Sequence, residues 1–171
     1  MKLYVGTYAK YNSGSLGGKW LDLDDFADAD EFEEACRKLH EDEDDPELMF
    51  QDAEYDHGWE KALYSGGGIP SDYWDIRDAL EKLCIDDDIF DAWVSITGEP
   101  IDGDAVGKRE EQYCGKMSGE DYAEQLCDEC GYLSKDIPSL ISCHIDWGGV
   151  WRDLTYDGYA EENGYIFDTN R

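Results

Sequence analysis

Runs of β-forming residues alternate with helical stripes along this chain. KLYVGTYAKY (2–11) is rich in β-formers and predicts a strand. NSGSLGG (12–18) is a turn or loop, and KWLDL (19–23) a second strand. From Asp30 onward Phe32, Ala35, Cys36 and Leu39 recur at i, i+3, i+4 and i+7, the stripe of an amphipathic helix capped by Asp28 or Asp30. ELMFQDAEY (47–55) predicts a third strand. The opening segment is therefore a small sheet carrying one helix.

YSGGGIPSD (64–72) breaks the pattern as a linker, with Ser71 or Asp72 as the next cap. Tyr73, Ile76, Leu80 and Leu83 form one helical stripe, and Ile89, Phe90, Trp93 and Val94 another. CIDDDIF (84–90) is the acidic corner between them, and the unit ends near TGEPIDGDAVG (97–107). SGEDYAEQLCDECG (118–131) is a marked helix: Ser118 with Asp121 makes an imperfect capping box, Tyr122, Ala123, Leu126, Cys127 and Cys130 share a face, and Gly131 stops it. Pro138 starts a short helical turn. Asp146 caps WGGVWRDL (147–154), and Asn163-Gly164 marks a hairpin in YAEENGYIF (159–167). The fold class is α+β in three small domains: 1–62 (sheet plus helix), 63–110 (helical) and 111–171 (helices with a short sheet).

Charge changes this picture more than any motif does. Forty-three Asp and Glu face fourteen Lys and Arg, a net charge of −29 with a pI near 4.1. The three segments carry eighteen acids against six bases, twelve against four, and thirteen against four. The charge belongs to the whole length, whereas acidic blocks in most proteins are disordered tails. With 41% hydrophobic and 13% aromatic residues the chain has the material to fold. A field of this sign repels nucleic acid and anionic membranes and favours cationic partners. Adaptation to high salt would give the same total, but does not call for a run such as Glu41-Asp42-Glu43-Asp44-Asp45. The N-terminal stretch lacks the form of a signal peptide, which places the protein in the cytoplasm with its six cysteines reduced.

Motifs for metal or catalysis are weak. From Asp22, residues Asp24 and Glu33 fit calcium-loop positions, but Phe26 and Ala27 replace a ligand and the turn glycine. From Asp102, Asp104 and Gly107 fit, but Tyr113 ends the loop without a carboxylate. Cys127-x-x-Cys130 has zinc spacing, yet it falls inside a predicted helix, where i and i+3 thiols share the buried face; these are read as core cysteines. His40, His57 and His144 lack a nucleophile partner, and no phosphate-binding or nucleophile-elbow motif occurs. The chain is read as a non-enzyme with no cofactor and no metal.

What remains is the carboxylate array. B-DNA carries one charge per about 1.7 Å, so twenty-nine charges match about 49 Å of duplex, and a dimer about 99 Å. YVGTYAKYNSGSLGGKWLDL, with Tyr11, Asn12, Gly14, Gly18 and Trp20, resembles the opening of the ArdA antirestriction proteins of plasmids and conjugative elements. ELMFQDAEYD is similar to that family's acidic strand. The C-terminal stretch from Gly119 to Phe167, with Ile145-Asp146-Trp147 and Arg152-Asp153-Leu154, resembles its end, though Cys127, Cys130 and Cys143 lie outside the pattern. The resemblance implies an elongated, curved homodimer that mimics bent B-DNA. It would occupy the DNA-binding groove of type I restriction-modification enzymes, blocking restriction and modification without catalysis or cofactor.

The phosphate-mimicking surface would then comprise Asp22, Asp24, Asp25, Asp28, Asp30, Glu31, Glu33 and Glu34; Glu41, Asp42, Glu43, Asp44, Asp45 and Glu47; Asp52, Glu54 and Asp56; Asp72, Asp75 and Asp78; and Asp86, Asp87, Asp88 and Asp91. Trp147, Val150 and Trp151 face either the core or the dimer partner. The alternative is an acidic module that sequesters other basic or DNA-binding proteins.

Overall fold

The computed structural model describes residues 1–64, 66–98, 101–102, 104–133 and 137–171. Parts of the expected linker 64–72 and of the stretch 97–107 lie outside the described residues. In chain order the elements are β1 (Lys2–Thr7), α1 (Tyr8–Asn12), β2 (Lys19–Asp22), α2 (Ala29–Leu39), β3 (Leu48–Glu54), α3 (Gly58–Leu63), α4 (Asp72–Leu83), α5 (Asp87–Thr97), α6 (Ala105–Gln112), β4 (Tyr113–Lys116), α7 (Gly119–Glu129), α8 (Ser139–Ser142), α9 (Trp147–Tyr156), β5 (Tyr159–Glu162) and β6 (Tyr165–Asp168). A 3-10 turn, Leu23–Asp25, follows β2. The fold is α+β, with two antiparallel three-stranded sheets ordered β2-β1-β3 and β4-β6-β5. The chain divides into two compact units: Met1–Val94 with Glu99–Val106, and Ser95–Gly98 with Gly107–Arg171. The boundaries expected at 62/63 and 110/111 both fall inside helices, α3 and α6.

In the first unit, β1 is the central strand. Leu3 and Val5 point inward with no exposed surface, while Lys2 and Tyr4 take the outer face. The strand stops earlier than the sequence predicts. Thr7, in extended conformation, accepts the Lys10 amide at 3.2 Å and opens the short helix α1, so 8–11 is helical rather than strand. In α2, Asp28 is the cap, accepting the Glu31 amide at 2.9 Å, while the Glu31 carboxylate takes the Ala27 amide at 2.7 Å. Phe32 and Cys36 of its stripe are fully buried. Phe32 meets Phe26, Phe50 and Trp74 with ring centroids 5.3, 6.2 and 5.9 Å away, so α4 shares the core beneath the first sheet.

The helical part of this unit follows its predicted stripes with two differences. Trp74, outside the stripe, is buried because its indole N–H donates to the carbonyls of Leu23 (3.2 Å) and Phe26 (3.0 Å). Leu83, inside it, is 43% exposed at the last turn. Trp59 stacks on Tyr73 at 5.4 Å, and Phe90 on Trp93 at 5.7 Å. The acidic corner is a helix end: Cys84 adopts a left-handed conformation (φ 52°), from which the chain turns into α5.

In the second unit, β6 is central and buried along its whole length, Tyr165 to Asp168. The Asn163-Gly164 turn, both residues at positive φ, joins it to β5 as the sequence predicts. Ser118 caps α7, and Asp146 caps α9 by accepting the Gly149 amide at 2.9 Å. Strand β4 and helix α6 carry no clear periodic pattern and were not expected.

Candidate functional site

All twenty-four candidate carboxylates lie in the first unit, and the apolar trio lies in the second. The acids sit at the end of β2 and in the 3-10 turn (Asp22, Asp24, Asp25), around the start of α2 (Asp28 to Glu34), in the loop between α2 and β3 (Glu41 to Glu47), on β3 and just after it (Asp52, Glu54, Asp56), on the outer side of α4 (Asp72, Asp75, Asp78) and at the start of α5 (Asp86 to Asp91). Helix starts hold many of them for a local reason: carboxylates accept the orphan amides there and suit the positive end of the helix dipole.

Part of the array works internally. Asp22 caps the 3-10 turn. Asp24 accepts the Tyr73 hydroxyl at 2.8 Å. Glu33 pairs with Arg37 at 2.7 Å and Asp78 with Arg77 at 2.8 Å. Asp91 accepts the Gly58 and Trp59 amides at 3.0 and 2.7 Å, capping α3 from α5, while Asp87 accepts the Trp59 indole N–H at 2.9 Å. In the acidic loop, Lys10 reaches Asp42 at 2.8 Å and Glu43 at 3.5 Å. That ammonium, by hydrogen bond and charge, holds the Asp42 carboxyl below the usual carboxylate range, and its own pKa is raised in return.

The rest has no such duty. Asp25, Asp30, Glu34, Glu41, Asp44, Asp45, Glu47, Glu54, Asp75 and Asp88 are exposed, and among the described residues their carboxylates make no hydrogen bond or ion pair. They leave an uncompensated negative field distributed over a loop, a strand and three helices. Such a surface suits an extended cationic partner better than a single small ligand.

Sequence reasoning missed the buried acid of the first unit. Glu60, 2% exposed, accepts from the Met1 ammonium at 3.1 Å and from the Asp56 and His57 amides at 2.7 and 3.1 Å. Asp56 and Asp22 add charge at 3.6 and 3.9 Å from that ammonium. Only the short spacing from Asp56 to Glu60 hinted at it. His40, Asp42 and Glu43 bring ligand atoms within 4.8 Å of one another. The Lys10 ammonium already bonds this group, lying 2.9 Å from His40 Nδ1, which leaves Nε2–H to face the Val5 carbonyl at 3.3 Å. Cys36 is buried, and desolvation with Glu33 nearby pushes its thiol up to about 12. Of the pair read as core cysteines, Cys127 is half-buried and Cys130 is exposed, because Cys130 sits past the last turn of α7.

On α9, Trp151 packs within the second unit. Its indole lies against Gly119, where any Cβ would collide with the ring, and meets Tyr122 at 6.3 Å. Trp147 and Val150 are half-buried, and no residue of α9 is fully buried. Leu140, Ile141, Tyr132 and Tyr156 of the same unit are 75%, 59%, 74% and 82% exposed. Among the described residues no helix is long and apolar enough to cross a membrane.

Fold and surface together define an acidic α+β protein whose distinguishing chemistry is an array of unpaired carboxylates. The family model for antirestriction protein (ArdA) matches residues 3–167. The chain belongs to the ArdA antirestriction family, and its function is antirestriction. Comparison with curated proteins gave no match.

Proposed function

We propose that this protein acts in the cytoplasm as a B-DNA mimic. It occupies the DNA-binding groove of a type I restriction-modification enzyme and blocks restriction and modification. One observation carries the reading: ten exposed carboxylates of the first unit have no partner among the described residues, on a chain of net charge −29. A groove built for duplex DNA presents Lys and Arg at phosphate spacing. Carboxylates on several elements can meet such a groove without any one of them being indispensable. Neither catalysis nor a cofactor enters.

The protein acts as a homodimer of chains organised as 1–62, 63–110 and 111–171, with 111–171 supplying the dimer contact. The half-buried Trp147 and Val150 and the exposed apolar residues of the second unit support that placement. Trp151 contributes by holding α9 against α7.

The test is displacement of a labelled cognate duplex from a type I modification complex, followed by fluorescence anisotropy. The expected result is full displacement near stoichiometric protein. No displacement at low salt, even at large excess, would contradict the target. Equal binding to unrelated basic proteins would then favour general sequestration of cationic proteins.

A further inference from the structure

The opening motif around Trp20 is not acidic, so phosphate mimicry leaves it unused. It builds a pocket on the outer face of the first sheet. In the sheet register Trp20 and Asp52 lie opposite Tyr4 on its two sides, giving a cross-strand row Trp20–Tyr4–Asp52. The Tyr4 and Trp20 rings meet edge to face, centroids 5.5 Å apart. The Tyr4 hydroxyl donates to the Leu16 carbonyl at 2.8 Å and ties the loop down beside them. Gly18 permits that closure, because a side chain there would strike the Val5 carbonyl and the Tyr4 ring. Tyr4, Leu16, Trp20, Gln51 and Asp52 line an open pocket of about 350 Å³, within the size range of ligand sites.

One feature gives the pocket a preference. The neighbouring cross-strand row is Asp22–Lys2–Glu54, in which Lys2 approaches Asp22 at 3.9 Å and Glu54 has no partner among the described residues, so the rim is acidic. Gln51 closes the floor: its amide lies where Gly6 has no side chain, Nε2 only 2.5 Å from the position a Cβ would take. Covering the sheet with aromatic rings alone would not require an acidic rim.

We infer that this pocket holds an arginine of the basic partner protein: the guanidinium stacks on Trp20 and pairs with Asp52. A planar guanidinium can stack and form a forked bond at once, which a lysine ammonium cannot. The inference rests on the proposed reading in one respect, that the partner presents a basic surface. It adds an anchor to an otherwise distributed interface, since aromatic and arginine contacts dominate binding hot spots.

The test uses the full chain, labelled with ¹⁵N, titrated with acetylated, amidated tri-arginine and tri-lysine peptides. Saturable shifts of the Trp20 indole and the Gln51 amide, with tri-arginine binding roughly tenfold tighter, are expected. Trp20→Leu should abolish those shifts, and Asp52→Asn should weaken binding several-fold while Asp44→Asn does not. Should Trp20→Leu fail to fold by circular dichroism, the contrast between Asp52 and Asp44 decides. Equal affinity for the two peptides, with shifts spread over the acidic residues, would overturn the inference. So would identical behaviour of the Asp52 and Asp44 variants. In the duplex-displacement assay, a wild-type protein that fails while its Trp20 shift persists removes the restriction target and supports the arginine site. Displacement without any Trp20 shift overturns the site alone.

Discussion

At the scale of single residues, carboxylates of one chemical type divide into two kinds. Glu60, Asp87 and Asp91 serve the fold; Asp25, Asp44 and Asp75 face water with no partner among the described residues. The two kinds should respond oppositely to neutralisation. Glu60→Gln leaves the buried Met1 ammonium with the neutral Tyr73 hydroxyl at 3.3 Å and with carboxylates only at 3.6 and 3.9 Å. Losing one partner of a buried pair costs about 3 kcal/mol at the lower end of the usual range, and urea denaturation should read that loss. Asp44→Asn removes only repulsion and should leave stability unchanged or slightly higher by the same measurement. The distinction was invisible in the sequence. A carboxylate's duty depends on which amide or ammonium the fold brings to it, and Glu60 and Met1 are far apart in the chain.

At the scale of elements, local rules carried most of the assignment. Asp28, Ser118 and Asp146 cap the helices that their positions predict, and Asn163-Gly164 turns the hairpin. The elements that escaped prediction are those held from elsewhere. The six-residue helix α3 has its first amides bonded by Asp91 of α5. Asp91→Ala should therefore loosen α3 and cost about 1–2 kcal/mol in chemical denaturation, the range for a lost helix cap. Any loss of inhibition by that variant would follow its stability, and a stabilising condition should restore it. Strand β4, four residues with no alternating pattern, is defined by its pairing with β6, and its own composition gave no sign of it. Trp74 shows the same limit within a helix: its burial follows from two carbonyl acceptors that periodicity does not reveal.

At the scale of the whole molecule, one field has two consequences with opposite salt dependence. A net charge of −29 strains the folded chain by self-repulsion. Screening relieves it, since the Debye length falls from about 30 Å at 0.01 M to about 10 Å at 0.1 M. The midpoint of thermal unfolding should therefore rise as sodium chloride goes from 0.02 to 0.5 M. A midpoint independent of salt would mean that the carboxylates are already neutralised in pairs. Binding to a basic groove should instead weaken as salt rises, because association releases the ions condensed on both surfaces. The charge and its distribution along the chain were legible from composition. Which carboxylates stay unpaired was not, because that depends on where Lys10, Arg37 and Arg77 reach in the folded unit.

The most direct measurement is the salt dependence of the dissociation constant between this protein and a type I modification complex, set beside that of the cognate duplex on the same complex. The account predicts a linear fall of log affinity with log salt for both, with slopes of similar size, and mutual exclusion of protein and duplex. Affinity that does not change with salt, or simultaneous binding of protein and duplex, would contradict it.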